Sequence, residues 1–472
     1  MLEDKIIKAA TEEFKQKLRQ ALENLSMATL TPELAEQVSQ GLQESIGSAA
    51  LVGYRTFLES YDEKQDILQV DEQVLRFKIA SEKIFLTPFG EMTVTRNLYQ
   101  ADAGGAAYVP LDAKWGMTGE YAMPQVQECV LLAAAHLTPK EVASLLKKSS
   151  LFHPSATAIN NMIQESGELI EAHLDELQHA IRDGEEVPQQ TQVVVASMDG
   201  VNVLMREPGK KSGRPKERPD KPEANPESAS TYKNAMVGSI SFYSISEEET
   251  GEMKPERLQS RYLARMPEER CPTFKAQFEA ELDHVEKAVN PNVKKVLLND
   301  GHRNIWSYLD QNPRYNEYEK LVDFYHTTEH LSKAAEALFG KKSAAADEWY
   351  NKWYGKLLEE DDAATGVVRS LEYHATQQQL RQSRANDLRQ ERTFFRQNQH
   401  RMTYADFRRR GLPIGSGPVE AACKSIVKNR MCRSGMRWSD EGGQKILNLR
   451  VFVKADRWDS FWENYMNLKR AA

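Results

Sequence analysis

Three carboxylates stand where the chain could hold them rigidly. Asp199 follows the apolar run QVVVASM, and Asp300 follows the short apolar run KKVLLN. Glu420 lies two residues after Pro418 in GSGPVE, where a turn leads into a predicted helix. Carboxylate oxygens are the ligands that Mg²⁺ and Mn²⁺ prefer. Two such ions can activate an attacking oxygen and stabilise a leaving oxygen at phosphorus. The three acids therefore predict a site for two divalent ions.

Each acid also has a simpler explanation. Asp199 and Asp300 are both followed by glycine, and aspartate at such a junction is typical of a turn. A glutamate in the first turn of a helix is stabilised by the helix dipole, and Lys424 lies one turn further on as a possible ion-pair partner. These explanations account for each acid singly, but they do not account for the basic run behind Glu420.

That run begins directly after Glu420. Between Ala421 and Arg437 every ionisable side chain other than cysteine is cationic, namely Lys424, Lys428, Arg430, Arg433 and Arg437. Cations grouped on one helix are typical of a surface that neutralises nucleic-acid phosphates. Trp438 follows the run, either as a ring that stacks on an unpaired base or as a core residue.

A second basic region lies upstream. Nine arginines fall between positions 381 and 410 against three acids, a local net charge of +6. Its last three residues, Arg408, Arg409 and Arg410, are predicted to bind DNA, because few acids nearby balance a solvent-facing helix. The segment 206–233 adds five prolines and a further group of cations. It is predicted to be either a loop that becomes ordered on DNA or a solvated linker.

Composition bounds these interpretations. The chain has 472 residues and a net charge of −7, which by itself argues mildly against a nucleic-acid-binding protein, although the local charges reverse that argument. Its four cysteines are far apart, and no run of 18 apolar residues occurs. We therefore expect a cytoplasmic, nucleoid-associated protein with no membrane segment.

Periodicity predicts an α+β multidomain chain. We expect a helical region at 1–73, a small β-element at 74–118, and helices at 119–185. An α/β region follows, with strands near 192–198, 201–206, 232–245 and 293–298. Helices are predicted again for 340–411 and for 412–472. Within 119–185, Thr138-Pro-Lys-Glu141 is typical of a helix start, and two short helices there predict a helix-turn-helix or an ordinary helical hairpin.

Four strings together resemble a known family. SMDGVNV, LLNDG, DFYHTTEHL and GSGPVEAACKSIVKNRMCRSGMRW resemble the bacterial DDE transposases of the Kra group of insertion sequences, relatives of the Mutator-like and hAT transposases. The resemblance implies an RNase H-like α/β catalytic core over 186–339 and 412–472, with an all-helical insertion at 340–411. It also implies that Asp199, Asp300 and Glu420 form the catalytic, metal-binding triad.

The resemblance extends to a histidine. Asp323-Phe-Tyr-His326 matches a signature that the wider class carries between its second aspartate and its glutamate. It implies a place for His326 near the active site, where the ring would orient a strand or its scissile phosphate. A core or helix-capping role is the alternative.

The family activity sets the remaining expectations. It is the metal-dependent cleavage of DNA at the ends of an insertion sequence, followed by strand transfer into target DNA. The implied cofactors are two Mg²⁺ or Mn²⁺ ions, and the partners are double-stranded transposon ends and target DNA. A homo-oligomer assembled on DNA is expected, with the N-terminal helices as a candidate interface. A transposase-derived DNA-binding regulator without catalysis and an RNase H-like nuclease without strand transfer remain the alternatives.

Overall fold

We describe the fold from a computed structural model, which covers residues 1–23, 30–70, 73–206, 232–377 and 381–471. The proline-rich basic segment therefore lies almost entirely outside the described residues. The chain divides into two compact units. One comprises Met1–Glu171 with Trp462–Ala472, and the other comprises Ala172–Phe461.

The first unit combines helices with a small sheet. Its elements are α1 (Leu2–Leu22), α2 (Pro32–Glu59), β1 (Ile67–Val70), β2 (Gln73–Thr87), β3 (Gly90–Gln100), α3 (Pro110–Trp115), α4 (Pro124–His136), α5 (Pro139–Ser149) and α6 (Ala156–Ala172). The three strands form an antiparallel sheet in sequence order. Helices and a small sheet occur in the expected order, but β1 lies within the segment 1–73 that was expected to be helical.

The predicted helix start at Thr138 is confirmed in atomic detail. The Thr138 hydroxyl accepts a hydrogen bond from the Glu141 amide, and the Glu141 carboxylate accepts one from the Thr138 amide. This reciprocal pair satisfies two amides that the first turn would leave without partners. The following helix, α6, extends to Ala172 and is longer than the short helix that the sequence predicted.

The second unit contains a five-stranded sheet surrounded by helices. Its elements before the C-terminal helices are α7 (Leu174–Asp183), β4 (Val193–Leu204), β5 (Tyr232–Glu247), β6 (Met253–Arg265), α8 (Pro272–Ala288), β7 (Lys294–Asn299), α9 (Arg303–Gln311) and β8 (Glu319–Val322). The strand order is β6-β5-β4-β7-β8. β4, β5 and β6 pair antiparallel, whereas β4, β7 and β8 pair parallel. The chain is therefore α+β with a mixed sheet.

The remaining elements are helical, as expected for 340–411 and 412–472. They are α10 (Phe324–Phe339), α11 (Ala344–Glu359), α12 (Ala363–Gln377), α13 (Gln382–Asn398), α14 (Tyr404–Arg409), α15 (Gly417–Ala422), a π-helical segment (Cys423–Lys428), α16 (Asn429–Met431), α17 (Asp440–Lys454) and α18 (Trp458–Ala471). Short 3₁₀ turns occupy Pro313–Tyr315 and Gln399–Arg401.

One large core joins the sheet to the helices of residues 340–410. Buried side chains of β4 and β7 belong to the same apolar cluster as Trp349, Leu388 and Phe395. A second cluster lies under the other end of the sheet, where Val201 and Val237 pack against Ile426 and Val427. These two cores fix the sheet between the helices that carry Glu420 and the arginine-rich helix α13. Within the described ranges, no helix is both long and apolar enough to cross a membrane.

Candidate active site

The structure brings Asp199 and Asp300 side by side. Ala196 lies opposite Leu297 in the parallel register of β4 and β7. Asp199 and Asp300 each follow three residues later, so they occupy matching positions on the two strands. The buried side chain of Asn299 ties the two strands together, because its Oδ1 accepts a hydrogen bond of 2.6 Å from the Met198 amide. Adjacent parallel strands thus hold the two carboxylates level with one another.

The two carboxylates interact electrostatically. Burial raises the pKa of the Asp300 carboxyl, and the neighbouring charge of Asp199 raises it further. The amide of His302, which donates to Asp300 Oδ1 at 3.0 Å, and the nearby ring of His326 oppose this rise in pKa. Like charges held together at a half-buried position are typical of sites that bind cations or carry out catalysis.

Asp199 does not end its strand, contrary to the expectation from the sequence. β4 continues through Asp199 and Gly200 to Leu204, because residues of β5 pair with this part of the strand as well. Asp199 lies opposite Val237 and Gly200 lies opposite Met236. The turn explanation for Asp199 is therefore wrong, since no turn occurs there. Asp300 does follow directly after β7, as predicted.

Glu420 occupies the first turns of α15, as expected. The Ser416 hydroxyl precedes the helix and donates to Glu420 Oε1 at 3.2 Å. Cys423, one helical turn after Glu420, donates from Sγ to Asp199 Oδ2 at 3.3 Å. Burial raises the pKa of the Cys423 thiol, and the charges of Asp199 and Glu420 raise it further. Glu420 and Asp199 thus both lie near one buried thiol.

Cys423 is a site residue that the sequence analysis missed. Its only signal is a spacing of three residues from Glu420, which places the two side chains on one helix face. Its raised pKa keeps the thiol protonated at neutral pH, so that Cys423 acts as a hydrogen-bond donor to Asp199.

Asp323 links the parts of the site. Its side chain is 1% exposed, and its Oδ1 accepts a hydrogen bond from the His326 amide at 2.6 Å. Its Oδ2 accepts from the amide of Ser416. Its own amide donates to the carbonyl of Asn299 at 2.8 Å. One buried carboxylate thereby connects the end of β7, the start of α10 and the turn before Glu420, and it places His326 close enough to affect the pKa of Asp300.

The helix behind Glu420 is irregular. Residues Cys423–Lys428 are π-helical, and the guanidinium of Arg450 donates to the carbonyls of Ser425 and Ile426 in that segment. Burial, together with the charges of Arg430 and Arg433, lowers the pKa of Arg450 to about 10. π-helical turns are rare and occur frequently at functional sites. Positive charge is thus concentrated in and just after this helical segment, with Arg450 contributed by α17.

The predicted DNA-binding residues after Glu420 fall into two groups, and those from Arg433 on lie beyond the end of the helix at Met431. Lys424, Lys428, Arg433 and Arg437 are exposed. Arg430 is only 3% exposed, and its guanidinium lies over the Trp438 ring at 5.2 Å. The Trp438 indole N–H donates to the carbonyl of Met431 at 3.0 Å, and the ring packs against the second apolar cluster. Arg430 and Trp438 therefore make the contacts of core residues.

Acids balance the arginines at the C-terminal end of α14, two of them from other elements and one, Asp406, from α14 itself. Arg409 pairs with Asp361, and Arg410 pairs with both Glu319 and Asp406. Arg408 is exposed and donates to the carbonyl of Leu358 at 3.4 Å. The expectation that few acids balance this run is thus wrong for Arg409 and Arg410. Partners that are distant in sequence cannot be counted from a local window.

A cleft of about 1010 Å³ opens beside the aspartate pair, and both Asp199 and Asp300 contribute to its lining. Three cations from separate elements, Lys233, Arg270 and Lys275, also line it. No local sequence pattern marked these residues, because β5, the loop before α8, and α8 itself each supply one. Two glutamates of the loop before α8 line the cleft as well, so the acid pair is accessible to a ligand through an opening of mixed charge.

The chemistry of the donor set fits a hard cation. Asp199 and Asp300 offer adjacent carboxylate oxygens, and their mutual repulsion is the kind of charge that a divalent ion relieves. Across the parts of the chain that the structure describes, however, no three His, Cys, Asp or Glu side chains are grouped as a ready-made metal site. The structure thus assembles two of the three predicted ligands and places Glu420 on the neighbouring helix.

Comparisons with known proteins add little to this geometry. The sequence matches no protein-family model, and no curated protein is similar to it. Among solved structures, the chain is similar to the Drosophila P element transposase strand transfer complex, at 10% sequence identity and a TM-score of 0.24. The similarity covers 73% of this chain and 81% of that chain. A TM-score this low does not indicate a function.

Proposed function

We propose that this protein is a DDE transposase, which cuts DNA at the ends of an insertion sequence and joins the freed ends to target DNA. The observation that carries the proposal is that the adjacent parallel strands β4 and β7 bring the carboxylates of Asp199 and Asp300 next to each other. The nearby thiol of Cys423, one turn after Glu420, supports Glu420 as the third member. In this proposal the mixed sheet is an RNase H-like core.

The organisation of the chain supports the same proposal. The helices α11 to α14 lie in sequence between Asp300 and Glu420, as an all-helical insertion would. The paired helices α5 and α6 are the candidate helix-turn-helix that reads the element ends. In this proposal, the segments 1–73, 74–118, 119–185, 186–339, 340–411 and 412–472 are the functional regions of a transposase. The N-terminal helices are the candidate interface of a homo-oligomer on DNA.

The proposed cofactors are two Mg²⁺ or Mn²⁺ ions held by Asp199, Asp300 and Glu420. When bound, such ions supply activation of the attacking oxygen and charge neutralisation at the phosphate. Asn299 holds β4 and β7 in register, so that the two aspartates stay adjacent. Asp323 fixes the turn that orients Glu420, through the amide of Ser416. Each of these residues contributes by limiting the motion of a carboxylate.

Cations around the site would hold the DNA backbone. Lys424 and Lys428 lie on the helix that follows Glu420, and Lys233 and Lys275 line the cleft beside the aspartates. Each would neutralise phosphate without reading sequence, so DNA binding should weaken steeply as salt is raised. Arg408, Arg433 and Arg437 are further candidates for phosphate contacts. Arg430 and Trp438 would support the DNA-binding surface from within, whereas Arg409 and Arg410 would hold the end of α14 through their ion pairs.

Alanine substitution tests the triad directly. Asp199→Ala, Asp300→Ala and Glu420→Ala should each abolish metal-dependent cleavage of DNA carrying the element ends, while DNA binding stays largely intact. Cleavage is measured on labelled DNA with Mg²⁺, with Mn²⁺ and with EDTA, which should stop it. Glu329→Ala is a matched control, because Glu329 is an exposed acid on α10. Full cleavage by any one of the three variants would remove that residue from the triad.

The products separate the three candidate functions. Joined DNA is the result expected of a transposase. Cuts without joining would instead show an RNase H-like nuclease, and binding without any product would show a DNA-binding regulator. Either of these outcomes with the wild-type protein overturns the proposal.

A further inference from the structure

We propose that His330 and Glu391 are positioning residues that fix the ring of His326 so that His326 acts as a hydrogen-bond acceptor toward the substrate. The inference rests on the proposed function, because it assigns a task to His326 at the Asp300 site. It excludes the role that the resemblance implied, in which His326 would contact a scissile phosphate. A phosphate oxygen needs a donor, and the geometry assigns the donor nitrogen of His326 to another partner.

The chain of contacts begins on α13. Glu391 is 7% exposed, and its Oε2 lies 2.6 Å from His330 Nδ1. The other ring nitrogen of His330, Nε2, lies 3.3 Å from Nε2 of His326. The ring of His330 stacks on Phe394, with centroids 3.7 Å apart and planes at 16°. His330 is therefore held at both nitrogens and on one face.

The hydrogen-bond partners determine which ring nitrogens carry the protons. A carboxylate only accepts, so the Nδ1 of His330 must carry a proton that it donates to Glu391. In the neutral ring, Nε2 is then the acceptor. His326 must donate its Nε2–H to that atom. The acceptor atom of His326 is consequently Nδ1.

The position of His326 gives this acceptor a use. His326 lies beside the end of β7, because its amide donates to Asp323, whose own amide donates to the carbonyl of Asn299, the residue before Asp300. An acceptor there can take a hydrogen bond from an attacking water or from a sugar hydroxyl. His326 would thereby orient the nucleophile, while His330 and Glu391 act through His326 alone. Orientation of a reacting group contributes to rate by removing unproductive geometries.

Phe394 ties this chain to the acid pair. A Cβ placed on Gly301, the residue after Asp300, would lie 2.2 Å from the Phe394 ring. The same ring stacks on His330 and meets the edge of His326, with centroids 6.1 Å apart. α13 thus contributes Glu391 and Phe394 to one arrangement that ends at the Asp300 turn.

Nitrogen NMR of the full-length chain tests the proton positions. With ¹⁵N-labelled histidine at pH 8, and signals assigned by His326→Gln and His330→Gln, His330 should show a protonated Nδ1 and an unprotonated Nε2. This is the less common tautomer of a free imidazole. His326 should show the reverse pattern. A wild-type His330 with its proton on Nε2, or with protons on both nitrogens, overturns the inference.

Activity of the same proteins tests the role. Glu391→Leu should shift His330 toward the Nε2–H tautomer and lower the rate of strand cleavage by about 10–100-fold at unchanged DNA affinity, as loss of a supporting partner does elsewhere. Glu391→Gln keeps an acceptor at this position and should retain most of the rate. Asp387→Leu is the control, because Asp387 is exposed one turn earlier on α13. An unchanged cleavage rate in Glu391→Leu overturns the positioning role.

The NMR measurement and the cleavage assay together distinguish failure of this inference from failure of the proposed function. A wild-type protein that does not cut DNA would contradict the proposed function, while the NMR pattern would still decide the proton positions. A protein that cuts DNA with His330 in the other tautomer would contradict the inference alone. Should Glu391→Leu fail to fold, the wild-type spectrum and Glu391→Gln still decide the outcome.

Discussion

Asp300 carries a charge that its surroundings oppose. Burial and the charge of Asp199 both raise the pKa of its carboxyl, and only the His302 amide and nearby imidazoles favour the ionised form. In the metal-free protein, cation-binding sites commonly hold like charges close together at a cost in stability, because binding of the cation relieves their repulsion. The residue is thus suited to function at the expense of stability.

Asp300→Asn should therefore stabilise the metal-free protein. Because the folded pKa lies above the unfolded one, the cost of ionising Asp300 grows as the pH rises above its ordinary value of 3.8 and is complete once the pH exceeds the folded pKa. At pH 7 we expect the melting temperature to rise by about 2–4 °C. At acidic pH, where both states are protonated, the gain should vanish. A lower melting temperature at pH 7 would contradict the assigned repulsion.

At this scale the sequence identifies candidates by type and leaves their partners undetermined. Asp199, Asp300 and Glu420 could be singled out because acids next to glycine or at a helix start are visible in one dimension. The donation from Cys423 to Asp199 joins residues that are 224 positions apart. The ion pairs of Arg409 and Arg410 likewise depend on tertiary contacts. These contacts require the fold.

The turn after β7 packs closely against helix α13. Gly301 accepts the Phe394 ring against its backbone, so that no side chain fits there. Trp306 of α9 closes the same turn, with its indole N–H donating to the carbonyl of Asp300 at 2.6 Å. Two helices thus fix the backbone that carries Asp300.

Gly301→Ala should displace α13 from this turn. The added methyl group overlaps the Phe394 ring, and overpacking of this kind typically costs about 1–3 kcal/mol. We expect reduced stability in denaturant and reduced cleavage. Gly301→Ala combined with Phe394→Ala should recover part of the cleavage that Gly301→Ala loses. The absence of any coupling between the two substitutions in a double-mutant cycle would contradict the contact.

Elements were predictable where their signals are local. The capping box at Thr138 and the periodicity of α1 and α2 gave those helices correctly. β6 and β8 were missed, because β6 is an edge strand with many polar residues and β8 has only four residues. The continuity of β4 through Asp199 was also missed, since it depends on pairing with β5. The length of a strand depends on the neighbouring strands that pair with it, and the local periodicity of the sequence does not reveal them.

A buried cluster of charged side chains links several elements of the second unit. Glu281 of α8 is 3% exposed and accepts hydrogen bonds from Arg261 of β6 and from Arg457, which follows α17. Arg457 also donates twice to Glu185 at 2.6 Å. Burial alone would raise the pKa of Glu281, but the charges of Arg457, Arg261 and Arg182 outweigh it and lower that pKa. No sequence window contains these partners together.

Glu281→Ala should destabilise this unit by about 3–5 kcal/mol, because it leaves buried guanidinium groups without their carboxylate. Since the folded pKa of Glu281 is lowered, its contribution is present above the ordinary value of 4.5 and is lost as the pH falls through the folded pKa. Unfolding in urea, followed from pH 7 to pH 3, should show a difference between wild type and variant that narrows on acidification. Lys287→Ala, an exposed change on α8, is the control. A difference that stays constant with pH would contradict the assignment.

The central claim is that Asp199, Asp300 and Glu420 together bind two divalent ions. The most direct measurement is a crystal structure of the protein with Mn²⁺ and DNA, with the ions located by their anomalous scattering. We predict two ions about 3.5–4 Å apart, both contacted by Asp199, with Asp300 on one and Glu420 on the other. Ions bound elsewhere, or a Glu420 carboxylate out of reach of any ion held by Asp199, would contradict the claim.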